Sequence, residues 1–257
     1  FASTRVGEES PVVTVLVQNT GTAPLDVAGP PLVTPPVFTV VDSFMNGDGG
    51  FTLAPGASDR VTLKFRPTAD GLVPGMLTIN WDATSLAIPL SGPGTIAVAG
   101  VTPSAPEGGN VELGAVCVGQ PRTQHFTVDS TGTGPFRISA IELTGQGFTL
   151  MLGAPLPITV GPGVSYGFDV VADPAGVAPI TGTLTVTTDV PGNAVRTVPL
   201  RAVGLASGLG VAPADGIDFG TVDPDVVSAE SAVTLTNCNT GTLAISGAAL
   251  QGTDLEG

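Results

Sequence analysis

The chain has few basic residues and no long apolar run, and both shortages exclude classes of function. Eight Lys and Arg residues stand against 22 Asp and Glu, which gives a net charge of −14. A surface of that sign repels phosphate backbones and anionic lipids, so we expect no nucleic-acid partner and no binding to membrane surfaces. No apolar run approaches the ~20 residues of a membrane-spanning helix, so we expect no membrane insertion within this segment.

Catalytic signatures are equally scarce. His125 is the only histidine, and the sequence contains no His-x-x-x-His or Cys-x-x-Cys string. A general base or a metal site needs several convergent partners, so we interpret His125 as an exposed residue at the start of a strand. We predict no catalytic residue, no cofactor and no enzymatic activity.

Two acidic loops keep a calcium site as an alternative. Asn46–Asp48 and Asp223–Asp225 offer the oxygen ligands that calcium prefers. Neither loop recurs in the other parts of the chain, neither is followed by a glutamate at a known spacing, and acidic residues beside glycine are common in turns. We therefore predict no bound metal.

Lysine and aromatic residues give no evidence for cross-linking or sugar binding. Lys64 is the only lysine, and its alternation with Leu63 and Phe65 points it outward, which excludes a buried isopeptide bond. Aromatic residues make up 5% of the chain, and the single Trp81 and the single Tyr166 are predicted to pack in the core or at its rim.

What the sequence does contain is an internal repeat. The segments that end at Leu25, Phe136 and Leu243 align at spacings of 111 and 107 residues, and the segments 53–79 and 160–186 align without a gap. We predict three repeats: residues 1–94, whose first strand is truncated, residues 95–204, and a partial repeat over residues 205–257. Both ends of the sequence fall inside a repeat, so we interpret the chain as part of a longer array.

Within a repeat the hydrophobic period is two, which is typical of strands with one buried face. Val13, Val15 and Val17 form one such series, and the series Val61, Leu63 and Phe65 is another. Gly and Pro account for 60 of 257 residues, and no window has a helical stripe. The pattern predicts an all-β fold of tandem immunoglobulin-like, seven-stranded antiparallel sandwiches with an incomplete third repeat.

Several short motifs stand in the predicted repeats: Phe219–Val222, Val233–Asn237, Phe51–Gly56, Phe65–Pro67 and Pro89–Gly94. Together they resemble the ASH, Hydin-like and choice-of-anchor D family, in its bacterial branch. The resemblance covers nearly the whole chain, although the second repeat departs from it at Asp129–Ser130, where Asn is usual, and at Ala172. It implies tandem sandwiches without catalysis, found in extracellular bacterial proteins and in ciliary or centrosomal scaffolds.

The two cysteines lie in different predicted repeats. Cys117 precedes the turn into the second strand of its repeat, and Cys238 follows the second strand of the next one, so both should flank the same junction. We predict an inter-repeat disulfide between Cys117 and Cys238, formed in an oxidising compartment. Two separate buried thiols are the alternative.

These observations favour a non-enzymatic structural or adhesive segment of a bacterial cell-surface or extracellular protein, working as a semi-rigid rod. Its expected partners are further copies of itself, as a homo-polymer, or other surface proteins. A filament subunit, in which a strand of another chain completes the first repeat, is an extension of this hypothesis. A module that binds proteins or glycans through its loops and an intracellular scaffold are the alternatives.

Overall fold

A computed structural model describes residues 1–43, 51–81, 84–212, 217, 219, 221, 226–239 and 241–247. In that part of the chain the fold is all-β, with several sheets and no helix. The prediction of an all-β fold of immunoglobulin-like sandwich repeats is confirmed, whereas the number of seven strands in each repeat stays a prediction. The calcium-loop residues Asn46–Asp48 and Asp223–Asp225 lie outside the described residues.

The chain divides into two compact units. The first comprises residues 1–100, 130–136 and 159–164, and the second comprises residues 101–129, 137–158 and 165–257. The repeat boundaries at residues 94 and 204 stay predictions.

The strands up to residue 102 are β1 (Thr4–Arg5), β2 (Val13–Gln18), β3 (Leu25–Val27), β4 (Leu32–Thr34), β5 (Phe38–Ser43), β6 (Phe51–Leu53), β7 (Ser58–Phe65), β8 (Gly71–Trp81), β9 (Thr84–Thr95) and β10 (Ala99–Thr102). The later strands are β11 (Val111–Cys117), β12 (Arg122–Ser130), β13 (Phe136–Thr144), β14 (Phe148–Leu152), β15 (Ile158–Val160), β16 (Ser165–Ala172), β17 (Pro179–Thr188), β18 (Val195–Leu205), β19 (Leu209–Ala212) and β20 (Thr234–Asn237).

The first unit contains two sheets. One has the order β1-β9-β8-β3-β6, with β4 also paired to β8, and the other has the order β2-β7-β5. Their inner faces supply a core that buries the alternating residues of β7 and β8, as the period of two predicts. The buried cluster consists of Val27, Val61, Leu63, Leu77 and Ile79.

Among the described strands, β1 and β2 each stand at the edge of their sheet. Val15 and Val17 are half-buried against the core cluster, but Val13 is exposed, so the prediction that these three valines form one buried face is wrong for Val13. The reason is that β2 is the terminal strand of its sheet. β1 is short and pairs in parallel with the end of β9, where Thr4 lies opposite Gly94.

The strands from β10 to β18 form a second pair of sheets. One sheet has the order β11-β18-β17-β13-β15, the other has the order β10-β12-β16-β14, and β19 and β20 form a separate antiparallel pair. β11 runs parallel to β18 and bulges at Gly114, whose φ of 80° is accessible to glycine at little cost. The parallel register places Val116 opposite Gly204 and Cys117 opposite Leu205.

Candidate functional site

The disulfide joins the end of β11 to the residue that follows β20. The Cys117 and Cys238 sulfur atoms are bonded, the two Cα atoms are 5.4 Å apart, and the two residues are separated by 121 positions in sequence. Both residues are buried in a small apolar cluster with Leu205, against which Ala115 packs. The structure therefore brings together the two cysteines that the sequence nominated.

The backbone around the bond is also fixed. The Cys238 N–H donates to the Gly208 carbonyl over 2.8 Å, and the Val118 N–H donates to the Leu205 carbonyl over 3.0 Å. Gln120 adds a long side-chain contact of 3.5 Å from Nε2 to the Cys238 carbonyl. The cross-link thus lies beside the short segment that connects β18, which ends at Leu205, to β19, which begins at Leu209.

A polar residue lies at or directly after the end of β2, β12 and β20, and in each case it precedes a turn. The Asn19 side chain donates to the carbonyls of Ala23 and Leu53 over 2.9 and 2.8 Å. Its Oδ1 accepts from the Gly21 N–H over 2.9 Å. Asn237 repeats the motif, because its Nδ2 donates to the Gly241 carbonyl over 2.7 Å.

Ser130 replaces this asparagine in the second repeat. The main chain is the same at both places: Asn19 N–H bonds the Ala57 carbonyl, and Ser130 N–H bonds the Val164 carbonyl. The Ser130 hydroxyl is buried and has no hydrogen-bond partner among the described residues. A serine at the position equivalent to Asn19 therefore leaves a buried hydroxyl without a hydrogen-bond partner among the described residues.

The turn that follows Ser130 lies closely on the segment before β10. Thr131 N–H donates to the Val98 carbonyl over 3.1 Å, and Gly134 N–H donates to the Ile96 carbonyl over 2.8 Å. The Thr133 hydroxyl accepts from the Ile96 N–H over 3.0 Å. A Cβ atom on Gly132 would lie 2.3 Å from the Ile96 oxygen, so glycine permits this approach. The period-two pattern does not predict this contact; the only sign of it in the sequence is the string Thr-Gly-Thr, which recurs at residues 20–22, 131–133 and 240–242.

His125 lies on the outer face of the sheet formed by β10, β12, β16 and β14. It is exposed, and its Nδ1 is 2.7 Å from Oδ1 of Asp169, the residue directly opposite on β16. The prediction that His125 opens a strand is wrong, because β12 begins at Arg122 and His125 is its fourth residue. The alternating apolar residues that indicate the strand in the sequence begin only at Phe126, four residues after its first residue.

Asp129 lies on the same outer face and is held by three hydroxyl groups. Burial raises the pKa of Asp129, but hydrogen bonds from these hydroxyls together lower it by more, and the pKa lies below the ordinary value of the carboxyl. The donors are Ser165 at 2.6 Å, Thr102 at 2.8 Å and Thr127 at 3.1 Å. The Asp129 carboxylate therefore accepts hydrogen bonds from three neighbouring strands, β10, β12 and β16.

The remaining residues of interest have packing or surface roles. Tyr166 is buried, and its hydroxyl donates to the Ala154 carbonyl over 2.6 Å. Trp81 is half-buried beside a cavity of about 250 Å³ that Val17 also lines. Lys64 points out of the core and its Nζ lies 2.7 Å from Glu9, whose pKa this hydrogen bond and charge hold below its usual value.

The described residues contain no group of three or more His, Cys, Asp or Glu side chains that could hold a metal ion. Nor does this part of the chain have a helix with the length and apolar character to cross a bilayer.

No protein-family model matches the chain, and no curated protein matches its sequence. Similar solved structures include a protein of unknown function from Porphyromonas gingivalis W83, which is 17% identical, with 78% of this chain and 94% of that one covered and a TM-score of 0.35. The ASH/PapD-like domain 7 of human CEP192 is 8% identical, with coverages of 42% and 86% and a TM-score of 0.32. Domains 4 and 5 of the S-layer protein SbsC are 16% identical, with coverages of 72% and 72% and a TM-score of 0.32. None of these similarities identifies a family or a function.

Proposed function

We propose that the chain is a non-enzymatic, load-bearing segment of a bacterial cell-surface or extracellular protein, built from repeats of the ASH, Hydin-like and choice-of-anchor D type. The observation that carries this proposal is the buried bond between Cys117 and Cys238. Disulfides form and persist in oxidising compartments outside the cytoplasm. The bond therefore supports an extracellular location.

The position of the bond gives it a mechanical role. Tension applied to the two ends of the chain passes from β11 through the sulfur atoms to Cys238, so the residues between the cysteines do not lie on the path of the force. The two cysteines are separated by 121 positions in sequence. Since an extended chain covers about 3.5 Å per residue, the bond prevents an extension of roughly 400 Å. The part of the chain between the two cysteines therefore does not extend under load while the bond is intact.

The same bond stabilises the fold. In the chain-entropy description, a cross-link that closes a loop of this size lowers the conformational entropy of the unfolded chain. The free energy of unfolding rises by about 4–5 kcal/mol as a result. The parallel pairing of β11 with β18 brings the ends of the enclosed sandwich side by side, which places Cys117 opposite Leu205. The cross-link thus reinforces a point at which strands already meet.

The surface chemistry supports a structural role over a catalytic one. The only histidine forms an exposed cross-strand pair with Asp169, and the hydroxyls around Asp129 donate to that carboxylate. Both arrangements lie on an open sheet face, and a catalytic group requires a partner set that converges on a substrate.

Thiol trapping in the source organism tests the proposed location. Cells are lysed in the presence of an alkylating reagent, and the masses of the peptides that contain Cys117 and Cys238 are measured without reduction. We expect one disulfide-linked peptide pair, and we expect protease added to intact cells to cleave the protein. Two alkylated thiols in a protein that resists the protease would favour the intracellular-scaffold alternative and contradict the proposal.

A further inference from the structure

β14, formed by Phe148–Leu152, is an edge strand with apolar side chains on both of its faces. It lies inside the continuously described range 84–212 and ends the sheet β10-β12-β16-β14, and no described strand pairs with it on the side away from β16. Leu152 faces the core opposite Phe168, yet it is 43% exposed whereas Phe168 is buried. Met151 on the outer face is 56% exposed. The apolar side chains of β14 therefore reach solvent along a free backbone edge.

Edge strands usually carry a feature that prevents pairing with another chain, such as a bulge or a charge. β5, which ends the sheet β2-β7-β5, has both, because its register shifts between Val40 and Asp42, and the exposed Asp42 carboxylate lies 3.8 Å from Arg60. β14 also begins with Phe-Thr, but it has Leu152 at the sequence position of Asp42, and it pairs with β16 without a register shift. β14 therefore lacks both protective features.

The charge distribution favours this edge for a contact between copies of the chain. A net charge of −14 makes two copies repel each other, but no charged residue lies between Leu143 and Phe168. The nearest charge across the sheet is Asp169, which is opposite Met151 and 2.7 Å from His125. If two β14 strands pair, the two Asp169 residues are three strand spacings apart, about 14 Å, which exceeds the screening length of ~8 Å.

We propose that β14 pairs in antiparallel orientation with β14 of a second copy of this chain. With the register centred on Leu150, the core-facing pairs are Leu150 with Leu150 and Leu152 with Phe148, and Met151 lies opposite Thr149 on the outer face. The pairing adds backbone hydrogen bonds and removes apolar side chains from water. The inference rests on the proposed structural function and names a partner for it.

The identity of the two strands determines the form of the assembly. Each copy contributes the same strand, so the contact is isologous and closes as a two-fold dimer. The two four-stranded sheets then form one continuous sheet. A strand of 5 residues buries far less surface than the roughly 1,600 Å² of a stable complex, so the association is reversible and depends on concentration.

Sedimentation of the full oxidised chain tests the proposal. We expect the mean mass to approach twice that of a single chain as the concentration rises, and we expect L152D, which gives β14 the aspartate of β5, to remain a monomer. Because Leu152 is partly exposed, L152D should still fold, which a denaturation curve verifies. The matched control is V195D, which makes the same change of charge at an exposed position of β18, in the other sheet of the second unit. It should associate like the unmodified chain.

Amide exchange of the unmodified chain tests the site without a substitution. With free chain at about ten times the Kd of the dimer, we expect exchange across residues 148–152 to be about tenfold slower than in dilute solution. This measurement decides the question even if L152D does not fold.

Each other outcome overturns a defined part of the proposal. A mean mass that does not rise with concentration contradicts the second copy as partner. Association that persists in L152D, or that V195D abolishes equally, contradicts β14 as the site. Slow exchange across residues 148–152 at every concentration shows that another part of the same chain covers β14, which also contradicts the proposal. The extension of single molecules does not depend on self-association, so the load-bearing function and this interaction can fail separately.

Discussion

At the scale of residues, Asn19 and Ser130 occupy equivalent positions before a turn but differ in the hydrogen bonds of their side chains. Asn19 satisfies three backbone groups, whereas the buried Ser130 hydroxyl has no partner among the residues described. The main-chain hydrogen bonds around the two positions are the same. The side chain of Asn19 therefore satisfies backbone groups that a serine at this position does not reach.

The substitution S130N should stabilise the protein. An asparagine here can donate to the carbonyls of Gly134 and Val160 and accept from the Gly132 N–H, by analogy with Asn19. We expect the free energy of unfolding to rise by about 1 kcal/mol, the net value of one satisfied buried hydrogen bond. Urea denaturation measures this, with N19S as the reverse variant, which should lower the stability. A loss of stability in S130N would show that the second repeat has no room for the amide.

Asp129 gives stability a defined dependence on pH. Its pKa is lowered in the folded state, so its contribution is present above the unfolded-state pKa of about 3.9 and is lost as the pH falls through the lower folded-state value. We expect D129N to cost about 1 kcal/mol at pH 7, because the hydroxyl donors lose their carboxylate. The difference from the unmodified chain should shrink between about pH 5 and pH 3.

Urea denaturation at pH 7, 5 and 3 measures this difference. The control is D173N, a substitution at an exposed aspartate, for which we expect no measurable change at pH 7. A D129N deficit that stays constant with pH would show that the loss comes from packing rather than from the charge.

At the scale of elements, period-two alternation was sufficient to find the strands and the core of β7, where Val61, Leu63 and Phe65 are buried. It failed at strands whose inward positions are polar or open. β12 begins before its apolar alternation, which misplaced His125, and Val13 faces solvent because β2 is a terminal strand. Alternation reports which face of a strand is buried, but not whether a neighbouring strand covers its edge.

The turn at residues 131–134 should be sensitive to side-chain size. In G132A the new Cβ would meet the backbone of Ile96 and Val98, which has no flexible end that can move aside. We expect the free energy of unfolding to fall by about 2 kcal/mol, as in other overpacked sites.

The matched control is G21A, in the same turn of the first repeat. Its Cβ would lie 3.2 Å from the Asn19 side-chain oxygen, which needs to move only slightly, so we expect a cost of about 0.5 kcal/mol or less. Thermal unfolding compares the two variants. Equal effects would mean that the contact between the turn and residues 96–98 is not present in solution.

At the scale of the whole molecule, the chain combines repeated sandwiches with a disulfide bond between two residues that are distant in sequence. The cysteine pairing was predictable because the repeat alignment placed both residues at the same junction, although they lie 121 positions apart. The outer-face pair of His125 with Asp169 was not, because the sequence alone does not give the register between β12 and β16. Long-range register depends on tertiary packing.

The most direct test of the load-bearing account is the extension of single molecules held at their two ends. In oxidising buffer we expect the total contour length gained on unfolding to be roughly 400 Å shorter than in reducing buffer. The C117S/C238S variant should match the reduced protein in both buffers. Equal extension with and without reductant would contradict the account, because the residues between the cysteines would then carry the force.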